Sequence, residues 1–207
     1  MMSVRKGIRS AAIALIAAAT FAAATQTANA VPPRMLADAL AELWTAVLQT
    51  PSDENPFNPD APDPITCWDL GANIVAPFGP SPGGVASCTV KPGTRIFVVG
   101  SSVECSTFEG TSVADLVNCA RAADTVEPTV TLDGQPVSLT EVTTDVTPAT
   151  LPVGNLFDLP AGTEGQFAAH GWVALLHPLT PGTHTIVITK QGSPTITTTI
   201  VVQPGLA

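Results

Sequence analysis

The sequence has few charged residues and few aromatic ones. Only 12% of its 207 residues are charged, where a globular average is about 25%. With 8 Lys and Arg against 17 Asp and Glu, the net charge of −9 argues against nucleic acid or an anionic membrane surface as partner. Tyr is absent, so the exposed aromatic platforms that bind carbohydrate are scarce. Trp68 is the one candidate platform, and packing against a disulfide at Cys67 is the alternative.

Recognisable catalytic and cofactor motifs are also absent. The chain contains neither phosphate-binding glycine pattern, G-x-x-x-x-G-K or G-x-G-x-x-G. The residues around Ser101 lack the second glycine of a nucleophile elbow. Paired carboxylates for hydrolysis are paired in space, so the sequence neither shows nor excludes them. No cofactor is indicated, and any hydrolytic site would have to be assembled by the fold.

Residues 1–30 predict a secretory signal peptide. Three basic residues precede an apolar run from Ala11 to Ala24, and Ala28-Asn29-Ala30 provides a cleavage site after Ala30. The run is shorter than the ~20 residues that span a bilayer. We therefore expect a secreted, extracellular product with no stable membrane span, and an uncleaved anchor is the alternative. Removal of the signal would leave 5 basic and 17 acidic residues, a net charge of −12.

The four cysteines predict two disulfides, because export leads to an oxidising compartment. Their spacing includes no C-x-x-C pair and no nearby histidine, which disfavours a zinc site. Three pairings are possible. Cys67–Cys88 and Cys105–Cys119 are favoured because they close short successive loops, and free buried thiols are the alternative.

A helix and an irregular loop are expected to follow the signal. Residues 31–50 place apolar side chains at three- and four-residue intervals, which predicts an amphipathic helix from about Arg34 to Gln49 that must pack on another surface. Residues 51–64 are rich in Pro, Asp and Asn and predict a loop. Calcium could bind its side-chain oxygens, but the spacing is not that of an EF-hand, and such residues commonly form turns. The candidate ligands are Asp53, Asn55, Asn58, Asp60 and Asp63.

Residues 51–204 are expected to form a mainly β domain, an antiparallel β-sandwich stapled by the disulfides. Asp133-Gly134 lies between two β-forming runs, which is a strong hairpin signal. A last strand, 195–202, is expected to place Ile196, Thr198, Ile200 and Val202 on one face and Thr on the other. Two further hairpins are predicted, pairing Val85–Val90 with Thr94–Val99, and Trp172–His177 with His184–Lys190.

One short inserted helix is expected to interrupt these strands. Ser112 and Asp115 have the spacing of an N-terminal capping pair, and Val113 would begin the apolar side. Because Cys119 lies in this helix, a bridge to Cys105 would join the helix to the preceding strand.

The three histidines are seven residues apart. On a strand that spacing reverses the face, so His170 and His177 would point to opposite sides. His177 and His184 flank the predicted turn, where two imidazoles could bind a transition metal. No third ligand is identifiable, so a metal site is not the expected outcome.

Several stretches resemble a family of secreted bacterial proteins of unknown function. They include E-C-S-T-F-E-G (104–110) with V-N-C-A-R (117–121), and H-G-W-V-A-L-L-H-P-L-T-P-G-T-H-T-I (170–186). The similar stretches cover most of residues 55–190. The resemblance implies an exported domain and supports the pairing of Cys105 with Cys119, and it implies no activity or site residues.

The favoured interpretation is a non-catalytic extracellular or cell-envelope module that binds a surface, glycan or protein partner, or that has a structural role. The alternative is a secreted hydrolase with a spatially assembled site. An enzyme should show a deep polar pocket where histidine and carboxylates converge, whereas a binding module should show an exposed patch.

Overall fold

A computed structural model describes residues 31–79 and 85–205, so the predicted signal peptide and its cleavage site after Ala30 lie outside the described residues. The described chain contains two helices, one short 3-10 turn at Thr107–Glu109, and eleven strands. The elements are α1 (Pro33–Leu48), β1 (Cys67–Asp69), β2 (Ile74–Pro77), β3 (Val85–Val90), β4 (Arg95–Ser106), α2 (Leu116–Ala123), β5 (Thr129–Leu132), β6 (Gln135–Val137), β7 (Thr140–Thr143), β8 (Thr147–Thr150), β9 (Glu164–Leu176), β10 (Gly182–Thr189) and β11 (Ile196–Val202).

The strands form two sheets. Sheet A has the order β1-β2-β4-β9-β7, with β8 also paired to β9, and sheet B has the order β3-β11-β10-β5-β6. The predicted fold class, a mainly β sandwich with an N-terminal helix and one short inserted helix, is confirmed. Most strand pairs are antiparallel as predicted, but β2–β4 and β3–β11 are parallel.

Helix α1 covers the face of sheet A that points away from sheet B. Pro33 occupies the first turn, where a missing N–H costs nothing. Leu40 and Leu43 are fully buried in one cluster with side chains of β4 and β9. The Trp44 indole N–H donates to Ser102 Oγ on β4 at 2.8 Å. The predicted helix is confirmed, and it forms one outer layer of the core.

The opposite face of sheet A meets two different elements. Toward one end Ile96 and Val98 of β4 pack with Ile186 and Ile200 of sheet B. Toward the other end α2 packs on β4 and β9 through Leu116 and its neighbours. Sheet B and α2 therefore lie side by side on the same face of sheet A.

Both predicted disulfides are present. Cys67–Cys88 joins β1 of sheet A to β3 of sheet B, and Cys105–Cys119 joins β4 to α2. The second bridge fixes the inserted helix to its preceding strand, as expected. The first connects the two sheets covalently at one edge.

Two of the three predicted hairpins are wrong. Val85–Val90 pairs with β11 in sheet B, whereas the next strand, β4, belongs to sheet A. In the same way β9 belongs to sheet A and β10 to sheet B. In both cases the chain crosses at the turn from one sheet to the other. The alternate residues of the two strands are buried between the sheets, and a hairpin would bury the same residues. Sequence periodicity therefore does not distinguish the two arrangements.

The Asp133-Gly134 hairpin and the last strand are confirmed. Strands β5 and β6 pair in antiparallel register. Asp133 and Gly134 both have positive φ, 51° and 77°, which is the requirement of a type I′ turn. In β11 the side chains of Thr198, Ile200 and Val202 are buried, as the alternation predicts.

The predicted start of the inserted helix is wrong. Helix α2 begins at Leu116, and Ser112 does not cap it. The Ser112 hydroxyl instead lies 2.6 Å from the Asp115 carboxylate, inside a separate turn closed by the Asp115 N–H and the Ser112 carbonyl. Val113 is consequently outside the helix and 50% exposed.

Candidate functional site

The structure does not bring His177 and His184 together as a metal site. His184 Nδ1 lies 2.7 Å from Asp133 Oδ2, and its Nε2 lies 2.9 Å from the Thr180 carbonyl, so both ring nitrogens have protein partners. His177 is exposed at the end of β9, in the other sheet. Within residues 31–79 and 85–205, no group of three or more His, Cys, Asp and Glu side chains could hold a metal ion.

Asn55 and Asn58 of the 51–64 loop close turns. Asn55 is buried, and its side-chain amide donates to the Val47 carbonyl at 2.7 Å. Asn58 donates to the Ser52 carbonyl at 2.8 Å. The Asn55 and Asn58 side-chain oxygens each accept a backbone N–H two residues further on. These contacts of Asn55 and Asn58 are ordinary Asx-turn geometry.

One cavity of about 430 Å³ is lined by residues of both sheets, and we call it the inter-sheet cavity. Its walls come from four places: the loop between 56 and 66, residues 77–79 after β2, residues 99–102 of β4, and residues 188–198 around the β10–β11 turn. Most of the lining side chains are Pro, Phe, Val or Ile. The described lining contains no histidine and no carboxylate.

Four aromatic side chains form or support one wall of the inter-sheet cavity. Phe57 and Phe78 line it, and both stack against buried Trp44 with ring centroids 5.3 and 5.4 Å from it. Trp68 is also buried, and its indole N–H donates to the Phe78 carbonyl at 2.8 Å. Trp68 is therefore a support of the wall and not an exposed platform.

Six polar side chains also line the inter-sheet cavity: Thr66, Ser101, Ser102, Lys190, Ser193 and Thr198. The Ser101 hydroxyl oxygen is buried and has no hydrogen-bond partner among the described residues. Lys190 is the one charged residue in the described lining, and its ammonium lies 2.5 Å from the carboxylate of fully buried Asp124. The cavity therefore combines apolar walls, several hydroxyl groups and a charge that is already neutralised.

A second, polar cleft of about 310 Å³ lies between the start of α1 and the edge strand β7. Two residues that line it contact a buried histidine. Glu141 Oε1 is 3.3 Å from His170 Nε2, and Thr143 Oγ1 is 2.9 Å from His170 Nδ1. Arg121 of α2 donates to the same Thr143 oxygen at 3.0 Å. Two hydrogen bonds and one 3.3 Å histidine–carboxylate contact thus connect four polar side chains in a row, which we call the His170 row.

One further titratable group stands out on β4. Burial, and then the nearby Glu109 charge, raise the pKa of Glu104 to about 8, against a smaller opposing effect of its bond to Ser106. Its Oε2 atom is buried without a partner among the described residues. Glu104 lies outside the described lining of both cavities.

Sequence reasoning missed both cavities. The His170 row depends on the β7–β9 register, which places Thr143 opposite His170 and Glu141 opposite Trp172. No local pattern in the sequence indicates that register. For the inter-sheet cavity one signal was available: Pro77 ends a short apolar run, and a proline there interrupts a strand ladder.

No protein-family model matches the chain, and no curated protein matches it. None of the described helices is long and apolar enough to cross a membrane. Among solved structures, the chain is similar to the solution structure of amebosin, with 13% identity over 60% of this chain and 100% of that one, and a TM-score of 0.22. It is also similar to the cysteine protease inhibitor EhICP2 from Entamoeba histolytica, with 13% identity over 57% and 86%, and a TM-score of 0.23. Scores this low carry no argument about function.

Proposed function

We propose that the protein is a secreted, non-catalytic extracellular binding module whose ligand occupies the inter-sheet cavity. The observation that carries this proposal is the cavity itself, about 430 Å³ with apolar walls and no described histidine or carboxylate. Ligand sites typically have volumes of about 300–1,000 Å³, with apolar walls and a few polar groups that fix orientation. Here Thr66, Ser193 and Thr198 contribute polar side chains to the lining.

Secretion is supported by two independent features of the chain. Residues 1–30 have the composition of a signal peptide, and all four cysteines are paired in disulfides. The expected partner is therefore an extracellular ligand or protein. The acidic balance of 17 Asp and Glu against 8 Lys and Arg makes nucleic acid a poor candidate.

The experiment compares two matched variants with the purified protein. Ile196 is half-buried and lines the cavity, whereas its neighbour Thr195 is exposed and does not. Binding of the uncharged apolar dye N-phenyl-1-naphthylamine is measured by fluorescence titration. Ile196→Glu should weaken binding at least tenfold, because a carboxylate in an apolar wall is poorly solvated. Thr195→Glu adds the same charge and should leave affinity unchanged; equal effects of the two variants would contradict the proposal.

A secreted hydrolase is the second candidate function, and the His170 row is the observation that favours it. The Thr143 hydroxyl accepts a hydrogen bond from Arg121 and can donate its proton to His170 Nδ1. Glu141 Oε1 lies 3.3 Å from His170 Nε2, so the row places a candidate nucleophile, base and orienting carboxylate next to one another. His170 is only 3% exposed, so substrate would have to reach Thr143 through the polar cleft.

Ester hydrolysis separates the two functions. For a binding module, the purified protein, Thr143→Val and His170→Gln should all hydrolyse p-nitrophenyl acetate at the rate of buffer with an equal amount of exposed imidazole. His177→Gln is the matched control, since His177 is exposed. A rate that falls at least tenfold in both Thr143→Val and His170→Gln, but not in His177→Gln, would establish the hydrolase instead.

A further inference from the structure

The inter-sheet cavity continues the core that lies between the two sheets. On β11, Ile200 belongs to the packed part of that core, whereas Thr198 and Ile196, the next positions on the same face, line the cavity. On β10, Ile186 is packed in the core and Ile188 lines the cavity. The cavity is therefore closed on the side of Ile200 and Ile186, and Thr198 lies at this closed end.

Thr198 is a polar residue in a position that suits an apolar one. It is only 4% exposed, whereas the other lining threonine, Thr66, is half-buried and Ser193 is exposed. No hydrogen bond between described residues uses the Thr198 hydroxyl. A buried hydroxyl without a partner is unfavourable, and valine has nearly the same shape without that cost. Core packing alone therefore does not account for a threonine here.

Other polar side chains of the lining are already engaged within the protein. Ser102 Oγ accepts the Trp44 indole N–H and donates to the His170 carbonyl, each at 2.8 Å. The Lys190 ammonium is paired with the carboxylate of Asp124. The described lining therefore provides no unmatched charge, and Thr198 is the buried lining residue whose hydroxyl can bond a ligand.

The aromatic wall of the cavity is held in place before any ligand binds. The Phe57 N–H donates to Asn55 Oδ1 at 3.0 Å, and the Phe78 N–H donates to the Thr66 carbonyl at 3.1 Å. Four prolines, whose rings have little conformational freedom, also line the cavity. A wall that is already ordered loses little conformational entropy on binding, which favours a preformed site.

The β4 wall does not offer a strand edge to a peptide. Its register with β9 shifts between Val99 and Ser101, which is the mark of a β-bulge, and Val99 and Gly100 are buried. Addition of a strand needs a regular and accessible edge. The cavity volume of about 430 Å³ lies instead in the range of small-molecule sites.

We propose that the cavity binds an uncharged, mainly apolar small molecule that carries one hydroxyl or carbonyl group, and that the Thr198 hydroxyl forms a hydrogen bond with this group at the closed end. Thr198 is then a specificity-determining residue, because an apolar ligand of the same shape leaves its hydroxyl unpaired. This inference rests on the proposed function and specifies its ligand class and its orienting residue.

The test compares 2-naphthol with 2-methylnaphthalene, which differ only by a hydroxyl in place of a methyl group. Their affinities are measured at pH 7 by displacement of N-phenyl-1-naphthylamine from the purified protein. Thr198→Val keeps the shape of the side chain and removes its hydroxyl. In this variant the ratio of the two affinities should shift toward 2-methylnaphthalene by about fivefold or more. The ratio cancels the difference in hydrophobicity between the two probes.

Thr199→Val is the matched control. Thr199 is the next residue of β11, points to the opposite face and does not line the cavity, so its substitution should leave the ratio unchanged. In the unsubstituted protein, 2-naphthoate should bind about tenfold or more weakly than 2-naphthol, because a carboxylate is poorly solvated between apolar walls. The thermal unfolding midpoint of Thr198→Val without ligand should not fall, because the hydroxyl has no partner among the described residues.

Each other outcome overturns the inference. An unchanged ratio in Thr198→Val, including an equal loss of affinity for both probes, means that the hydroxyl does not bond the ligand. A lower unfolding midpoint of that variant means that the hydroxyl stabilises the protein itself. Binding of 2-naphthoate as tight as that of 2-naphthol means that the cavity accepts charge.

The dye separates failure of this inference from failure of the proposed function. Binding of N-phenyl-1-naphthylamine without binding of either naphthalene overturns the inference and leaves the proposed function in place. If neither the dye nor any naphthalene binds, the inference and the proposed function both fail.

Discussion

His184 Nδ1 lies 2.7 Å from Asp133 Oδ2, which joins strand β10 to the turn between β5 and β6. The other oxygen of the same carboxylate accepts the Thr185 N–H at 2.8 Å. One turn residue thus bonds both the side chain and the backbone of the neighbouring strand. His184, a candidate metal ligand in the sequence, therefore has a structural role: its bond to Asp133 holds β10 against the β5–β6 turn.

Asp133→Asn should lower the pKa of His184. Partial burial lowers this pKa, but the bonds to Asp133 and to the Thr180 carbonyl, with the Asp133 charge, raise it above its ordinary value overall. The stabilisation from protonated His184 is therefore complete below about pH 6.5 and is lost as pH rises through the higher folded value. Proton NMR titration of the imidazole measures the change.

Asp158→Asn is the matched control for that substitution. Asp158 also has positive φ, 53° against 51° for Asp133, and Asn tolerates this backbone conformation. The control should leave the His184 titration unchanged. An unchanged pKa in Asp133→Asn would show that the carboxylate does not stabilise the imidazolium.

Glu104→Gln should remove a pH dependence of stability. The folded protein holds a proton on Glu104 up to about pH 8, whereas the unfolded chain releases it near 4.5. Stability therefore falls as pH rises from about 5 to 8, by a few kcal/mol, since one pKa unit corresponds to about 1.4 kcal/mol. Urea unfolding at pH 5 to 9 should show this slope in the protein and in exposed Glu164→Gln, but not in Glu104→Gln.

Leu40→Ala should destabilise the fold by about 2–5 kcal/mol. Leu40 is fully buried between α1 and sheet A, so its truncation leaves a cavity in the core. Met35→Ala on the same helix is the control, because Met35 is 47% exposed and should change stability by only about 0.5 kcal/mol. Similar values for the two variants, from chemical denaturation, would mean that α1 is not part of the cooperative core.

Lys190→Met should destabilise the protein by about 3–5 kcal/mol, because it leaves the carboxylate of Asp124 buried without its counter-ion. The double variant Asp124→Asn/Lys190→Met removes both charges and should recover a large part of that loss. Lys91→Met is the control at an exposed lysine. A double variant no more stable than Lys190→Met alone would contradict a charge-based explanation.

Features set by neighbours in the chain could be predicted from the sequence. Helix α1, the Asp133-Gly134 hairpin and both disulfides depend on local periodicity, turn chemistry or short loop closure, and all are present. Partner choice between strands could not be predicted, because β3 and β9 bury the same alternating residues whether the next strand lies beside them or in the opposite sheet. The His170 row could not be predicted for the same reason. It depends on the contact between Thr143 and His170, which are 27 positions apart in the chain.

The two disulfides also determine how far the chain can extend under load. A force applied to α1 and β11 is transmitted through the two disulfides. The loops that they close, with separations of 21 residues at Cys67–Cys88 and 14 at Cys105–Cys119, therefore add almost nothing to the length of the extended chain. At about 3.5 Å per residue, the two bridges shorten the fully extended chain by roughly 100 Å. Reducing agents would release that length in a single-molecule trace, so the full extension of the unfolded chain depends on whether the two bridges are intact.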